Sequence, residues 1–150
     1  MNPNEPVLRI SMMPDDESLI PLRMNPNDAG YDLFAAESGT VFPGKRCFFR
    51  TGVRLELPDG VSGEVLSRSG LARNRGVHVL NAPGLVDPGY RGEIGVTLYN
   101  SDRHEGFVVR RGDRIAQLVF REFKTFQLIN FPEGLSDTVR GTNGFGSTGQ

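Results

Sequence analysis

Apolar residues along this chain occur in short runs, and clusters of Gly, Pro, Asn and Asp separate one run from the next. Runs that are rich in Val, Phe, Leu and Ile and end at turn residues are typical of β-strands. The pattern predicts strands at residues 7–12, 47–57, 61–66, 93–99, 107–109, 115–120 and 123–131, with a further strand and turn at 41–45. About ten short strands with turn signals every 8–12 residues predict an all-β sandwich, barrel or jelly roll. The longest run is interrupted by Thr51 and Gly52, which predicts a bend there.

One segment, SRSGLARNRG at residues 67–76, departs from the strand pattern and predicts the one short helix of the chain. Ser67 or Ser69 is a candidate N-cap, and Gly76 is a candidate helix end. Free backbone N–H groups at the helix start, together with Arg68, are suited to binding phosphate. A solvated basic turn has the same residues, so this motif by itself leaves both interpretations open.

Length and composition restrict the class of protein. A chain of 150 residues with a formal net charge of −1 is expected to form one domain with a sizeable core, and it has no overall basic field for nucleic acid. Cys47 is the single cysteine, which excludes an intramolecular disulfide and favours a reducing, cytoplasmic setting. No secretory signal or apolar run of membrane-spanning length occurs in the sequence. We therefore expect a soluble cytoplasmic protein with no membrane partner.

The most distinctive turn lies at residues 84–92, where the sequence is GLVDPGYRG. Pro88 fixes its own φ and Gly89 tolerates a positive φ, so the chain can reverse sharply here. Such a turn brings the Asp87 carboxylate and the Tyr90 ring towards the same space. For an isolated Asp-Pro-Gly sequence, an Asp that bonds its own turn amides is the commoner outcome. The turn alone does not decide between a site and a plain hairpin.

Two polar residues interrupt apolar segments. Asp32 follows the turn-rich residues 25–30, and an Asp in this position is more often a turn or cap residue than a ligand. Gln117 lies among apolar neighbours in the predicted strand 115–120, where a buried amide needs hydrogen-bond partners. It is either satisfied by backbone groups or directed into a polar cavity.

A change of composition near the end predicts a domain at residues 1–135 and a flexible glycine-rich arm at 136–150. The arm has too few apolar residues to pack by itself, and disorder is the usual state of such termini. Its glycine amides, hydroxyls, arginine and phenylalanine are also the groups of an anion-binding lid. The candidate lid residues are Arg140, Phe145, Ser147 and Thr148.

Several kinds of chemistry find no support in the sequence. His78, His104 and Cys47 lack the spacing of zinc ligands. There is no nucleophile elbow, Walker loop or dinucleotide-binding glycine motif. Clusters of Lys and Arg with interleaved aromatic residues are also missing, which argues against a nucleic-acid partner. The remaining carboxylates, arginines, hydroxyls and glycine turns suit a small phosphorylated ligand with Mg²⁺.

Five segments resemble, in order, the five motifs of the trimeric deoxyuridine triphosphate nucleotidohydrolases (dUTPases). They are AGYDL at 29–33, RSGLA at 68–72, GLVDPGYRG at 84–92, RGDRIAQL at 111–118 and RGTNGFGSTG at 140–149. Each motif alone has low specificity, whereas five in the right order are highly specific. The resemblance implies a jelly-roll-like β-barrel of about ten short strands with one short helix and a flexible C-terminal tail.

The resemblance also implies a reaction and its residues. dUTP would be hydrolysed to dUMP and pyrophosphate, which limits uracil in DNA and supplies dUMP for thymidylate synthesis. Asp87 would be the catalytic base for the water that attacks the α-phosphorus, and Tyr90 would stack under the deoxyribose. Asp32 would face the Mg²⁺ cofactor through water. The implied substrate-binding residues are Arg68, Ser69, Gly70, Asn81, Val86, Tyr90, Gln117, Arg140, Phe145, Gly146, Ser147 and Thr148.

The same resemblance implies a homotrimer with shared active sites, in which the arm of one chain closes the site of a neighbour. A dCTP deaminase is the first alternative, because residues 68–73 and 87–89 resemble its motifs as well. Its chemistry needs a Glu on the strand after the turn, and this chain has Thr97 there, which cannot shuttle protons near neutral pH. The second alternative is a nucleotide-binding trimer without turnover, for which a base such as Asp87 is unnecessary.

Overall fold

The computed structural model describes residues 6–13 and 16–144. Within these residues the chain contains eleven β-strands, one short α-helix and a 3₁₀ turn at Glu17–Leu19. The strands are β1 (Arg9–Met12), β2 (Tyr31–Phe34), β3 (Gly39–Val41), β4 (Arg46–Arg50), β5 (Val53–Glu56), β6 (Val61–Leu66), β7 (Val77–Val79), β8 (Gly84–Val86), β9 (Gly95–Asn100), β10 (Phe107–Val109) and β11 (Arg114–Glu122). The helix, α1 (Ser69–Arg75), connects β6 to β7. The predicted all-β class with one short helix is confirmed.

The strands form two larger antiparallel sheets and two ribbons. The first sheet has the order β2-β11-β6-β8, and the second has the order β4-β9-β7. The ribbons pair β1 with β5 and β3 with β10. Most paired strands are distant in sequence, and this is the connectivity expected of a jelly-roll-like fold.

Apolar side chains on the inner faces of the strands form the core. Strand β9 illustrates the alternation, because Val96, Leu98 and Asn100 are buried and the residues between them are half-buried. This period of two is that of a strand with one face on the core. The buried Asn100 amide donates to the carbonyls of Val41 at 3.0 Å and Glu105 at 2.8 Å, so its polar group is satisfied.

The bend predicted within residues 47–57 is present, because β4 ends at Arg50 and β5 begins at Val53. Gly52, between them, has a φ of 75°, in the left-handed region. A Cβ added to Gly52 would lie 2.8 Å from the carbonyl oxygen of Met13. Both the backbone angle and this close approach require glycine, so the sequence places the corner at the one residue able to form it.

The helix ends as predicted but begins differently. Gly76 has a φ of 63° and caps the C-terminus in the left-handed conformation. The N-cap is Arg68, which makes no side-chain capping hydrogen bond, so the expected serine cap is wrong. Ser67 instead accepts a hydrogen bond from the Val79 amide at 2.9 Å, which ties the start of the helix to β7. No helix in the described part of the chain is long and apolar enough to cross a bilayer.

The last predicted strand, at residues 123–131, does not form. Strand β11 ends at Glu122, and the described residues beyond it contain no strand or helix. Residues 123–143 are all exposed, with the side chains of Phe126 and Leu128 at 76% and 93% exposure. An apolar strand needs a neighbouring edge and a surface on which to bury its side chains, and residues 123–131 pair with no strand of the described chain and remain exposed. The boundary between a domain at 1–135 and an arm at 136–150 stays a prediction.

Candidate active site

The predicted turn between β8 and β9 is tight. The Tyr90 amide donates to the carbonyl of Asp87 at 3.1 Å, which closes a four-residue β-turn. Gly89 is not among the described glycines with positive φ, so the turn closes without using the left-handed conformation that this glycine permits. Of the described residues, none donates a hydrogen bond to the Asp87 carboxylate, including the amides of its own turn. The interpretation of Asp87 as a residue that bonds its own turn amides is therefore wrong.

Asp87 instead lines a cavity of about 230 Å³ beside the turn. Three other predicted site residues, Asn81, Val86 and Tyr90, line the same cavity. Its remaining walls are Val65, Gly84, Leu85, Glu93, Ile94 and Gly95. Pockets for drug-sized ligands span about 300–1,000 Å³, so this cavity suits one small ring system with a polar edge rather than a whole nucleotide.

The Tyr90 ring lines this cavity in an orientation that two contacts fix. Its hydroxyl donates to the carbonyl of Glu93 at 3.0 Å, and the ring folds back over Gly92. A Cβ on Gly92 would overlap the Tyr90 ring, so glycine is required for this close approach. The ring face is thereby held at one orientation, although Tyr90 is about half exposed.

Asn81 also lines this cavity. It follows β7 in a turn that leads to a cis peptide bond between Ala82 and Pro83. A Cβ added to Gly84 would lie 3.2 Å from the Asn81 side-chain nitrogen and 3.4 Å from the Cβ of Val65. The Asn81 amide therefore packs directly against the β8 backbone, where its donor and acceptor can face a ligand edge together with the backbone of Val86.

Glu93 also lines the cavity, and the sequence analysis did not select it. Its Oε2 atom accepts hydrogen bonds from Arg50 Nε at 3.0 Å and Nη2 at 2.8 Å. Its Oε1 atom accepts from the Gly52 amide at 2.7 Å. Burial raises the pKa of Glu93, but the hydrogen bonds from Arg50 and Gly52 and the positive charges of Arg50 and Arg54 outweigh burial and hold the pKa below its ordinary value. The partner of Glu93, Arg50, lies 43 positions earlier in the chain, so no local sequence motif shows that the two residues interact.

A second group of predicted site residues lies on the four-stranded sheet. Asp32 is buried on β2, and Arg114 Nη1 donates to its Oδ2 atom at 3.0 Å. Arg68 Nε lies 3.2 Å from Asp32 Oδ1 without the alignment of a hydrogen bond, so this contact is an ion pair only. Arg68 Nη1 also donates to the carbonyl of Arg114 at 2.9 Å. Asp32 is thus neither a turn residue nor a cap, and it fixes the guanidinium of Arg68.

Strand register explains how distant motifs meet at this second group. Gln117 on β11 is paired with Asp32 on β2 and with Leu66 on β6. Leu66 leads directly into the predicted binding residues Arg68, Ser69 and Gly70, of which Ser69 and Gly70 are exposed at the start of α1. The half-buried Gln117 side chain lies over Gly30, where an added Cβ would be 3.4 Å from its Cδ atom. None of these residues lines the cavity beside Asp87.

The arm residues are tested only in part. Arg140 is exposed, and its Nε donates to the carbonyl of Asn143 at 3.0 Å within a local turn. Phe145, Gly146, Ser147 and Thr148 lie outside the described residues. The lid therefore stays a prediction.

The donor chemistry at Asp32 fits a magnesium ion bound through water. Mg²⁺ keeps most of its waters and is commonly held by one or two carboxylates together with substrate phosphates. The Oδ1 atom of Asp32 is buried and has no aligned hydrogen-bond donor, so it retains the capacity to accept from a metal-bound water. Among residues 6–13 and 16–144, no group of three or more His, Cys, Asp or Glu residues could hold a metal directly.

Comparison with known proteins gives a consistent result. The sequence model of the dUTPase family matches residues 16–149. The deoxyuridine 5'-triphosphate nucleotidohydrolase of Corynebacterium jeikeium (strain K411) is 45% identical over 150 residues, or 99% of this chain and 96% of that protein. The dUTPase of Staphylococcus bacteriophage 80alpha, solved with dUPNHPP, has a TM-score of 0.87 at 27% identity, and the match covers 96% of this chain and 99% of that one.

A third comparison concerns the fold. A mutant dUTPase from phage phi11 of S. aureus, whose structure reveals the coordination of a structural Mg(II) ion, has a TM-score of 0.77 at 24% identity. That match covers 85% of this chain and 97% of the phage protein. The motif order, the fold and these matches agree, and the chain therefore belongs to the dUTPase family of enzymes, whose reaction is the hydrolysis of dUTP.

Proposed function

We propose that the chain converts dUTP to dUMP and pyrophosphate, with Asp87 as the general base. The observation that carries this proposal is the cavity in which Asp87, Asn81 and Tyr90 converge. The Asp87 side chain is exposed, and its carboxylate accepts no hydrogen bond from the described residues. The carboxylate is therefore available to a water molecule. A site for binding alone has no use for an unpartnered carboxylate close to a polyanion.

Uracil would occupy the cavity, and the sugar would lie on the Tyr90 ring. The Asn81 amide and the backbone of Val86 offer donors and acceptors to the base edge, while the apolar wall includes Val65 and Ile94. The seated Tyr90 ring would leave no room for a 2′-hydroxyl, which excludes ribonucleotides. Recognition by paired donors and acceptors in a small cavity gives high selectivity, because a wrong base leaves buried polar groups unpaired.

The phosphate chain would bind the residues of the second group. Arg68, with Ser69 and Gly70, would neutralise and orient the phosphates, assisted by the Gln117 amide. Asp32 would hold Mg²⁺ through water, and when bound the ion supplies further charge neutralisation to the triphosphate. The ion pair with Asp32 fixes Arg68 before the ligand arrives, which reduces the ordering that binding requires.

The chemical step needs one water in line with the bond that breaks. Asp87 would accept a proton from this water while the water oxygen bonds to the α-phosphorus. The bond from the α-phosphorus to the oxygen that bridges it to the β-phosphorus then breaks, and pyrophosphate leaves with the electron pair. Arg140 and the arm residues Phe145, Gly146, Ser147 and Thr148 would close over the ligand and exclude bulk water.

A homotrimer with shared sites would join the two groups of residues. In one chain, the cavity residues and the phosphate residues belong to separate clusters. The segment between Glu122 and the arm also carries exposed apolar side chains, among them Leu128 and Ile129 at 93% and 71% exposure, and a second copy of the chain is the surface that would bury them. In the cytoplasm, the reaction would limit uracil in DNA and supply dUMP for thymidylate synthesis.

Deamination of dCTP is disfavoured by the cavity. Thr97 is half-buried on β9 and does not line it. Glu93 does line it, but its pKa is held below the ordinary value by Arg50 and the Gly52 amide despite burial, so this carboxylate stays ionised near neutral pH. A proton shuttle must alternate between charged and neutral forms during the reaction. Neither residue therefore supplies the required acid.

The test is release of pyrophosphate and ammonia from dUTP, dCTP, dTTP and UTP in the presence of Mg²⁺, for the wild type and Asp87→Asn. The proposal expects pyrophosphate from dUTP alone, and its loss in Asp87→Asn although dUMP still binds. Ammonia from dCTP would assign a deaminase. No product from any of the four would contradict the proposed base and leave a binding protein.

A further inference from the structure

The segment that follows the catalytic turn is fixed to the corner between β4 and β5 by five hydrogen bonds. Glu93 receives three of them, from Arg50 Nε, Arg50 Nη2 and the Gly52 amide. The Ile94 amide donates to the carbonyl of Val53 at 2.8 Å, and the hydroxyl of the fully buried Thr51 donates to the carbonyl of Ile94 at 2.6 Å. The corner therefore acts as a template for the backbone of residues 93 and 94.

The corner that acts as the template is rigid because both its backbone angle and its burial constrain it. Gly52 adopts a φ of 75°, and its neighbour Thr51 is fully buried. In this conformation the Gly52 amide is directed at Glu93 Oε1, at 2.7 Å. The Arg50 side chain reaches the other carboxylate oxygen from the exposed side, with the Arg50 and Glu93 side chains at 49% and 18% exposure.

The backbone of Glu93 in turn holds the ring of Tyr90. The Tyr90 hydroxyl donates to the Glu93 carbonyl at 3.0 Å, and Gly92 provides the open space over which the ring lies. We propose that Glu93 is a positioning residue that sets the Tyr90 ring, and thereby the selectivity of the enzyme for deoxyribose over ribose. This inference rests on the proposed function, in which the Tyr90 ring lies under the sugar.

A carboxylate is required at position 93 because both of its oxygens are used. One oxygen accepts a hydrogen bond from the Gly52 amide, and the other accepts two from the guanidinium of Arg50. A glutamine has a single oxygen, and its amide nitrogen would face either a backbone donor or a cation. Glu93→Gln therefore keeps the size of the side chain and loses one of the two anchors.

The experiment compares kcat/KM for dUTP and UTP in the wild type, Glu93→Gln and a matched control, Glu64→Gln. Glu64 forms an ion pair with Arg121 at 2.6 Å on another sheet, through one hydrogen bond where Glu93 accepts three, with side-chain exposures of 21% and 58%. We expect Glu93→Gln to lower the ratio of kcat/KM for dUTP to kcat/KM for UTP about tenfold. This is a fraction of the ~100-fold loss of rate that a 1 Å misplacement can cause. Glu64→Gln removes the charge from an ion pair of the same type and should leave the ratio unchanged.

Two reference variants make the result decisive. Tyr90→Ala reports the ratio when the ring is absent, and Arg50→Gln removes the same ion pair from its exposed side if Glu93→Gln does not fold. A wild-type ratio in both Glu93→Gln and Arg50→Gln, with a reduced ratio in Tyr90→Ala, would overturn the inference and leave the proposed function intact. An equal loss in Glu64→Gln would assign the effect to general stability and also overturn it. A wild type that shows no preference for dUTP would instead contradict the proposed function.

Discussion

The turn region at residues 84–95 and the segment after β11 differ in how the chain holds them. In the turn region, the backbone is fixed by hydrogen bonds to the corner between β4 and β5, and the Tyr90 ring is seated on Gly92. In the segment at 123–143, every residue is exposed, and the described part contains no regular element. The first region is held by contacts within one chain, whereas the second is buried against no part of the described chain.

This difference indicates which part of the reaction each region serves. A preformed cavity loses little entropy when a base and sugar bind, so we propose that selectivity belongs to the turn region. An unpacked segment with glycines and an arginine can order over a ligand, so we propose that closure belongs to the arm. The following variants test this division, beginning with the largest expected effect.

Asp87→Asn should abolish turnover while the turn region remains intact. Removal of a general base costs about 10²–10⁴-fold in kcat, because the water is no longer deprotonated as it attacks. The Kd for dUMP should change by less than about threefold, since the substitution keeps the size of the side chain. Quench-flow for pyrophosphate and calorimetry for dUMP measure the two quantities. A kcat within tenfold of the wild type would show that another group is the base.

Deletion of residues from Arg140 onward should remove most turnover without unfolding the protein. The described part of the deleted segment is largely exposed and makes only local hydrogen bonds, so the Tm should change little. Closure over the phosphates is lost, and kcat should fall far more than the affinity for dUMP. Differential scanning calorimetry and steady-state kinetics test both statements. An unchanged kcat would contradict the role of the arm as a lid.

Asp32→Asn should weaken both stability and phosphate binding. The substitution leaves Arg68 and Arg114 without their shared anion, and loss of one partner from a buried pair costs about 3–5 kcal/mol. We expect about 1–3 kcal/mol here, because Arg114 is 40% exposed and water screens its charge. Urea denaturation of the wild type and Asp32→Asn measures the free energy of unfolding. An unchanged stability would show that the two arginines do not depend on Asp32.

Glu93→Gln should destabilise the turn region at neutral pH and have progressively less effect in acid. Burial raises the pKa of Glu93, but Arg50 and the Gly52 amide outweigh it, so the folded pKa lies below the ordinary value of 4.5. The stabilisation is therefore present above pH 4.5 and disappears as the pH falls through the folded pKa. The Tm difference from the wild type, about 2–4 °C at pH 7, should shrink towards pH 3. A difference that does not vary with pH would exclude an ionised Glu93.

Local chemistry made much of the fold and the turn predictable. Gly52 and Gly76 are needed at positive φ, so a glycine within a strand and a glycine after a helix located a corner and a helix end. The Asp87–Tyr90 turn was equally visible, because Pro88 and Gly89 are turn residues. These features depend on neighbours within a few residues, and a sequence displays such neighbours directly.

Features that depend on distant residues were not predictable. The strand expected at 123–131 has the right composition, but a strand also needs a partner, and this segment pairs with no strand of the described chain. Glu93 was only the first residue of a predicted strand at 93–99 until the fold placed Arg50 and the Gly52 amide beside it. Asp32 resembled a turn residue for the same reason, since Arg68 reaches it from the N-cap of α1 and Arg114 from β11.

The division between a preformed turn region and a dependent arm is tested most directly by mixing two inactive chains. One chain carries Asp87→Asn and keeps its arm, and the other keeps Asp87 and lacks the residues from Arg140 onward. After joint refolding, the account predicts dUTP turnover well above that of either chain alone, because the arm of the first closes over the turn of the second. Turnover no greater than the sum of the separately refolded chains would show that each arm serves its own chain, and would contradict a site shared between subunits.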